Sequence, residues 1–336
     1  FPKQLHAEIS DELINIIDWS KWHHYFYRTN SRKMINRMIA GILPYMPKKL
    51  VWIFSKKYIS GENMSDAMRE SVRLNAEGCS VTLDVLGEHI NILSEAESFK
   101  AQYIEVIEQF SSRKIIGNIS LKPSMFGLLL DKEACYRNIR EILLVAVKCD
   151  NFIRIDMEDS SCTDDEIVLY NRLRSEFPNH VGLVLQAYLH RTLDDVKAMM
   201  SDPTVSSPLN FRLCKGIYIE DKSIAFKGYQ EVRDHYLEDL EWMLKNKIYV
   251  GIATHDQYLV DQSVLLIERL QIPKEKYEFQ MLFGVNSNLR RSLVKRGFPM
   301  RVYVPFGTHW FSYSTRRLKE NPHMVWHIIK ALFVRG

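Results

Sequence analysis

The sequence is short of several things, and each shortage excludes a class. No uninterrupted apolar run approaches the roughly 20 residues that span a bilayer, so nothing in it reads as a transmembrane helix. The five cysteines, Cys79, Cys135, Cys149, Cys162 and Cys214, are odd in number and form no CxxC or Cys/His ligand spacing. That excludes a disulfide framework and a zinc site and favours a reducing, cytoplasmic setting. With 14 Gly and 11 Pro in 336 residues the chain is neither collagen-like nor low in complexity. Charge of one sign is lacking too. The 45 Lys+Arg against 41 Asp+Glu leave only +4, too little excess for a dedicated nucleic-acid binder. Neither GxGxxG nor GxxxxGK[ST] occurs, which removes the dinucleotide fingerprint and the P-loop.

What the sequence has is alternation. Short β-branched and apolar runs, each followed by a stretch of helical spacing, occupy Ser80–Leu86, Asn118–Pro123, Phe152–Met157, Val181–Ala187, Leu209–Lys215, Tyr249–Ala253, Tyr277–Leu282 and Arg301–Pro305. Helices are expected at Glu95–Phe110, Lys132–Val147, Asp164–Glu176, Asp194–Met200, Asp221–Lys245, Gln257–Leu270 and Asn286–Lys295, with N-caps at Asp164, Thr192 and Ser287. Strand–helix alternation implies parallel pairing by right-handed crossovers, and eight units favour a closed (β/α)8 barrel over an open sheet. The expected fold class is therefore α/β, a distorted TIM-type barrel over residues 63–336. Residues 1–62 are expected to form an N-terminal helical arm, with helices at Ser10–Phe26 and Ser31–Tyr45. The arm carries Trp19, Trp22, Arg28, Arg32, Lys33, Arg37, Lys48 and Lys49, and reads either as a solvated arm packed on the barrel or as a surface for anionic lipid.

In a parallel barrel the chemistry sits at the C-terminal strand ends, where the loops converge. Those ends carry Asp84, Lys122, Asp156 with Glu158, Gln186, Arg212 with Lys215, Thr254 with His255 and Asp256, Gln280 and Tyr303. A charge such as Lys122 inside a strand buried on both faces needs a partner. Either these groups form a buried ion-pair network that fixes register, or they line an active site. After the last strand, Tyr313, Arg316, Arg317 and Glu320 fall at i, i+3, i+4 and i+7, on one helical face. Two arginines can clamp a carboxylate while Glu320 receives an ammonium, which suits an amino acid zwitterion; ordinary helix salt bridging is the plainer reading.

The motifs Ser120–Leu–Lys–Pro–Ser124, Arg154–Ile–Asp–Met–Glu–Asp159, Leu185–Gln–Ala–Tyr188, Arg212–Leu–Cys–Lys–Gly216, Ala253–Thr–His–Asp256, Tyr277–Glu–Phe–Gln–Met–Leu282, Arg301–Val–Tyr–Val–Pro305 and Tyr313–Ser–Thr–Arg–Arg317 follow in order. Through them the chain resembles the flavin-dependent proline dehydrogenases in their monofunctional bacterial form. The resemblance implies FAD at the barrel mouth and oxidation of L-proline to 1-pyrroline-5-carboxylate by hydride transfer. Carried over motif by motif, it assigns Lys122, Arg316 and Arg317 to the substrate carboxylate, Glu320 to its ammonium, and Asp156, Arg212 and Tyr303 to the catalytic centre. It assigns Met157, Gln186, Arg212, Lys215, Gly216, Ile217, Thr254 and His255 to FAD. The aromatic Tyr303 implies preference for proline over 4-hydroxyproline. Cys214, Ile217, Ile219 and Phe283 depart from the family's usual residues, which bears on packing beside the cofactor.

The resemblance further implies a membrane quinone as electron acceptor, peripheral contact with the inner membrane, and a separate pyrroline-5-carboxylate dehydrogenase to take the product. No metal and no nucleic acid is expected. The alternatives are a hydroxyproline dehydrogenase, a Schiff-base enzyme using Lys122 or Lys215, and a binding scaffold without turnover.

Overall fold

The apolar runs form eight parallel strands: β1 Ser80–Val85, β2 Gly117–Leu121, β3 Ile153–Ile155, β4 Val181–Gln186, β5 Asn210–Cys214, β6 Tyr249–Ala253, β7 Tyr277–Leu282 and β8 Met300–Phe306. They close into a barrel in sequence order. This computed structural model describes residues 51–320 apart from 53–54, 88 and 204–206, and of residues 316–320 only the backbone. The expected helices Ser10–Phe26 and Ser31–Tyr45 lie outside the described residues. The chain divides into two compact units, residues 53–310 and residues 1–52 with 311–336, and the barrel belongs to the first.

The helices are α1 Met64–Ala76, α2 Glu95–Arg113, α3 Lys132–Lys148, α4 Thr163–Glu176, α5 Thr192–Ser201, α6 Tyr229–Lys245, α7 Gln257–Leu270, α8 Ser287–Lys295 and α9 Trp310–Glu320. Three expected caps move. Helix α8 is capped by Asn286 rather than Ser287, the Asn286 side chain accepting from Leu289 N. The caps of α4 and α5 are Cys162 and Arg191. The Thr192 hydroxyl instead donates to Gln186 O at the end of β4, and Asp164 lies inside the first turn, where a carboxylate meets the positive helix end. The helix expected from Asp221 begins only at Tyr229. Asp221 accepts from Ser223 N as a turn, Ala225 bridges antiparallel to Leu189, and Glu231 reaches back to Gly228 N to start α6.

Closure is carried by six paired positions between β1 and β8, Ser80↔Arg301 through Val85↔Phe306. Along each strand alternate residues face opposite ways. The set Val81, Leu83, Ile119, Leu121, Ile153, Ile155, Leu183, Leu185, Phe211, Leu213, Val250, Ile252, Phe279, Met281, Val302 and Val304 is buried at 5% exposure or less. It packs into the core that joins the strands to the helices. The other set, including Thr82, Asp84, Asn118, Ser120, Arg154, Arg212, Glu278, Gln280, Arg301 and Tyr303, is polar. Its members bond across the barrel, Arg212 of β5 to Gln280 of β7 and Tyr303 of β8 to Asp156 beyond β3. Only side chains in the lumen can meet that way, so this barrel has a polar interior where aliphatic layers are usual.

Candidate functional site

The polar lumen rises to a cluster at the C-terminal mouth. Lys122, just past β2, places Nζ 2.9 Å from Asp84 Oδ1 and 3.9 Å from Asp156 Oδ2. Burial alone would lower the Lys122 ammonium, but Asp84 and Asp156 outweigh it and hold its pKa above the ordinary lysine value. Asp156 is engaged at both oxygens. Oδ1 accepts from Arg212 Nη1 at 2.8 Å and from the Ser120 hydroxyl, and Oδ2 accepts from the Tyr303 hydroxyl at 3.0 Å. Burial, then Asp156 and Asp84, push the Tyr303 phenol well above its usual range, so it stays neutral and donates. The Arg212 guanidinium also lies over the Tyr303 ring, 5.1 Å from its centroid.

Arg212 is the hub. Its Nε donates to Gln280 Oε1 at 2.7 Å and its Nη1 to Asp156 and, at 3.1 Å, to the Ser120 hydroxyl. Its Nη2 is buried with no hydrogen-bond partner among the described residues. A buried guanidinium N–H left open is costly unless a ligand accepts from it. Below Arg212, Gln280 Nε2 donates to Glu278 Oε1 at 2.7 Å, and the same oxygen accepts from Arg301 Nε at 2.6 Å.

The ends of β4 to β6 supply a second sector. Gln186 Nε2 donates to Glu158 O at 2.8 Å, and Met157 is buried beside it in sequence. Gly216 follows β5 at φ +103°, where a Cβ would run into the Tyr188 ring, so only glycine fits. Lys215 Nζ lies 3.3 Å from Asp256 Oδ2, and Asp256 is also held by Arg233 through both carboxylate oxygens and by the Tyr229 hydroxyl. Burial opposes the Asp256 charge, but Arg233, Tyr229 and Lys215 overcome it and hold its pKa far below the usual carboxylate range. Thr254 Oγ1 accepts from Asp256 N. His255 Nε2 accepts from Leu282 N at 2.8 Å, which places the ring proton of the neutral imidazole on Nδ1. Ile217 is half-exposed and Ile219 fully exposed.

The structure thus brings Lys122, Asp156, Arg212 and Tyr303 into one cluster and sets Met157, Gln186, Lys215, Gly216, Ile217, Thr254 and His255 at neighbouring strand ends. Arg316, Arg317 and Glu320 lie on α9, and their side chains are outside the described ones. Sequence reasoning left Asp84, Ser120, Glu278 and Gln280 unassigned, yet they bind the cluster together. The signal was there, as polar residues at every second position: Thr82 and Asp84, Ser120 and Lys122, Glu278 and Gln280, Arg301 and Tyr303. Among the described residues no group of three His, Cys, Asp or Glu side chains could hold a metal ion, and no helix is long and apolar enough to cross a membrane. A cavity of about 690 Å³ opens where β4, β5 and β6 begin, lined by Val181, Asn210 and Tyr249, at the face opposite the cluster.

Comparison with known proteins agrees with this geometry. Residues 67–326 match the proline dehydrogenase family. The chain is 33% identical over 278 residues to Proline dehydrogenase 1 of Bacillus subtilis, covering 83% of this chain and 90% of that one. It is 30% identical over 291 residues to the proline dehydrogenase of Deinococcus radiodurans, covering 85% and 92%. Among solved structures, proline utilization A (PutA) of Bdellovibrio bacteriovorus, inactivated by N-propargylglycine, superimposes with a TM-score of 0.77 at 23% identity. That match covers 87% of this chain and 36% of the other, so the chain spans about a third of that protein, and the likeness speaks for the fold. On the family match and the two bacterial relatives, this chain belongs to the proline dehydrogenase family.

Proposed function

We propose that this chain oxidises L-proline to 1-pyrroline-5-carboxylate, the first step of proline catabolism, with FAD bound at the barrel mouth. The observation that carries the reading is the open Nη2–H of Arg212, 6% exposed and aimed by Gln280 and Asp156. A flavin ring, rich in acceptor nitrogens and carbonyls, fits such a donor. Gln186, Lys215, Gly216, Thr254 and His255 are the residues we assign to hold it, with Met157 and Ile217 flanking. When bound, FAD supplies the two-electron oxidation, taking the hydride from substrate carbon.

The side chains do the positioning. Lys122 offers a permanent ammonium to the substrate carboxylate, and we assign Arg316 and Arg317 to the same carboxylate as a guanidinium pair, with Glu320 facing the ammonium. Asp156 acts by orientation: with Arg212, Ser120 and Tyr303 on its oxygens, it holds those groups rather than taking a proton from substrate. Tyr303 walls the substrate ring, which favours proline over 4-hydroxyproline. Fixed cationic groups around the mouth stabilise negative charge as it develops there. A Schiff-base role for Lys122 needs a neutral amine, and its two carboxylate neighbours keep it charged.

As partners we assign a membrane quinone for the electrons and a separate pyrroline-5-carboxylate dehydrogenase for the product, with the protein cytoplasmic and peripheral to the inner membrane. The test is an anaerobic titration of the purified protein with L-proline, followed in the visible. Flavin bands that bleach as proline is added support the reading. A colourless protein that FAD cannot reconstitute overturns it.

A further inference from the structure

We propose that Glu278 and Gln280, which continue the hydrogen-bond chain from Arg212 into the lumen, are positioning residues that set the orientation of Arg212, and that the charge of Glu278 is what makes the arrangement single-valued. This rests on the reading of Arg212 as a flavin-facing donor. The argument begins with the amide of Gln280, which has an oxygen and an NH2 of nearly equal size and can present either one. Arg212 Nε carries a hydrogen and needs the oxygen. Glu278, ionised, is acceptor-only and needs the NH2. The observed bonds satisfy both at 2.7 Å each, and the reversed amide would oppose two donors above and two acceptors below.

Glu278 is kept ionised in a lumen where it is 6% exposed. Burial raises its carboxyl, but Arg301, which donates Nε to it, and Arg154 outweigh that and leave its pKa below the ordinary value. Arg301 is itself fixed by donating Nη1 to Val81 O at 2.8 Å. The chain of bonds therefore runs from the barrel wall through Arg301, Glu278 and Gln280 to Arg212. Space for it comes from Gly251 on β6, since a Cβ there would collide with the Gln280 amide. With Nε committed to Gln280 and Nη1 to Asp156, the guanidinium plane has no rotation left, and Nη2 points one way.

The test is an exchange. Glu278→Gln removes the acceptor-only group and frees the Gln280 amide to turn, while Gln280→Glu sets two carboxylates side by side. The double exchange, Glu278→Gln with Gln280→Glu, keeps the net charge and gives Arg212 Nε an acceptor again; because one Glu278 oxygen serves both Gln280 and Arg301 in the wild type, the amide introduced at 278 must turn so that its NH2 donates to the new carboxylate and its oxygen accepts from Arg301. Each single variant is expected to lose about tenfold or more in kcat/KM for proline, the scale of one hydrogen bond to a charged group, with an altered spectrum of bound flavin and a weaker FAD dissociation constant. The double exchange, which restores the acceptor for Arg212 at the cost of that turn, is expected to recover part of all three. Single variants that fold and keep the wild-type spectrum and FAD affinity, or a double exchange no better than the worse single, would overturn the proposal.

A loss that follows only the melting temperature, with flavin per folded chain unchanged, would mark a structural role and overturn it too. Crystal structures of the wild type and the Glu278→Gln variant without ligand separate this from the functional reading. Arg212 leaving Gln280 in the single variant and returning in the double supports the relay even if no flavin binds, and an unmoved Arg212 refutes it.

Discussion

Lys122 is an ammonium just past a strand whose outward-facing Ile119 and Leu121 are wholly buried, and what keeps it there is the pair Asp84 and Asp156. Its folded pKa lies above the unfolded one, so the stability it contributes is fully present below about pH 10.4 and is lost only as pH rises through the folded value. Lys122→Met should therefore cost about 3 kcal/mol at pH 8, because two buried carboxylates lose their counter-charge. The deficit should be smaller at pH 4.5, because Asp84, raised by burial and no longer opposed by Lys122, protonates more readily as pH falls. Denaturant titrations at the two pH values check this, and equal deficits would refute it. Tyr303→Ser removes the ring wall and should narrow the ratio of kcat/KM for proline over 4-hydroxyproline, an unchanged ratio counting against the assignment. At this scale the ionisable members of the site were legible because a charge in an apolar strand demands an explanation. The role of Glu278 and Gln280 was not, although Gln280 stood among the strand-end candidates, because it lies in what they touch across the barrel, over sequence separations that spacing does not encode.

On helix α6, Asp239 is fully buried, and neither carboxylate oxygen has a hydrogen-bond partner among the described residues. His235 Nδ1 is 3.5 Å away but donates to Ala187 O at 2.7 Å. Burial, with a smaller push from Glu238, raises the Asp239 carboxyl to about 8. A carboxyl whose folded pKa exceeds its unfolded value weakens the fold as pH rises from about 4, and the penalty is complete above about pH 8. Asp239→Asn keeps the shape without the charge. It should be close to neutral at pH 4 and stabilising by about 2–4 kcal/mol at pH 9, read from denaturant midpoints; a difference that stays flat across that range would contradict it. Element interiors were the most legible part of the chain, since β6 and β7 carry the bounds their apolar runs suggest. Element starts were less so. The stretch from Asp221 has helical spacing, yet its turn at Ser223 and the bridge from Ala225 to Leu189 hold it as a loop at the mouth. The Asn286 cap was hidden because Ser287, equally able to cap, stands beside it.

At the scale of the molecule, the strand count pointed to a barrel, but no residue in β1 or β8 announces that the two will pair. Closure follows from twist and from eight equal units, and it decides the chemistry. The cluster draws Asp84 from β1, Lys122 from the end of β2, Asp156 from that of β3, Arg212 from β5 and Tyr303 from β8. A ligand held there touches elements from the whole circumference, so it can bind only the closed barrel. Binding to the folded state alone stabilises it by mass action, about 2.7 kcal/mol when free ligand is a hundredfold above its dissociation constant. For a chain of this size that corresponds to a rise of roughly 4 °C in Tm. With FAD as the ligand, protein stripped of flavin should melt lower than the holoprotein, and its Tm should climb with the logarithm of added FAD. Riboflavin, which lacks the phosphates and the adenosine, should shift it less. Thermal scans across a hundredfold range of FAD decide the matter: a single cooperative transition that moves with FAD ties the cofactor to the closed barrel, and a transition that FAD leaves in place would mean that the barrel mouth does not hold it.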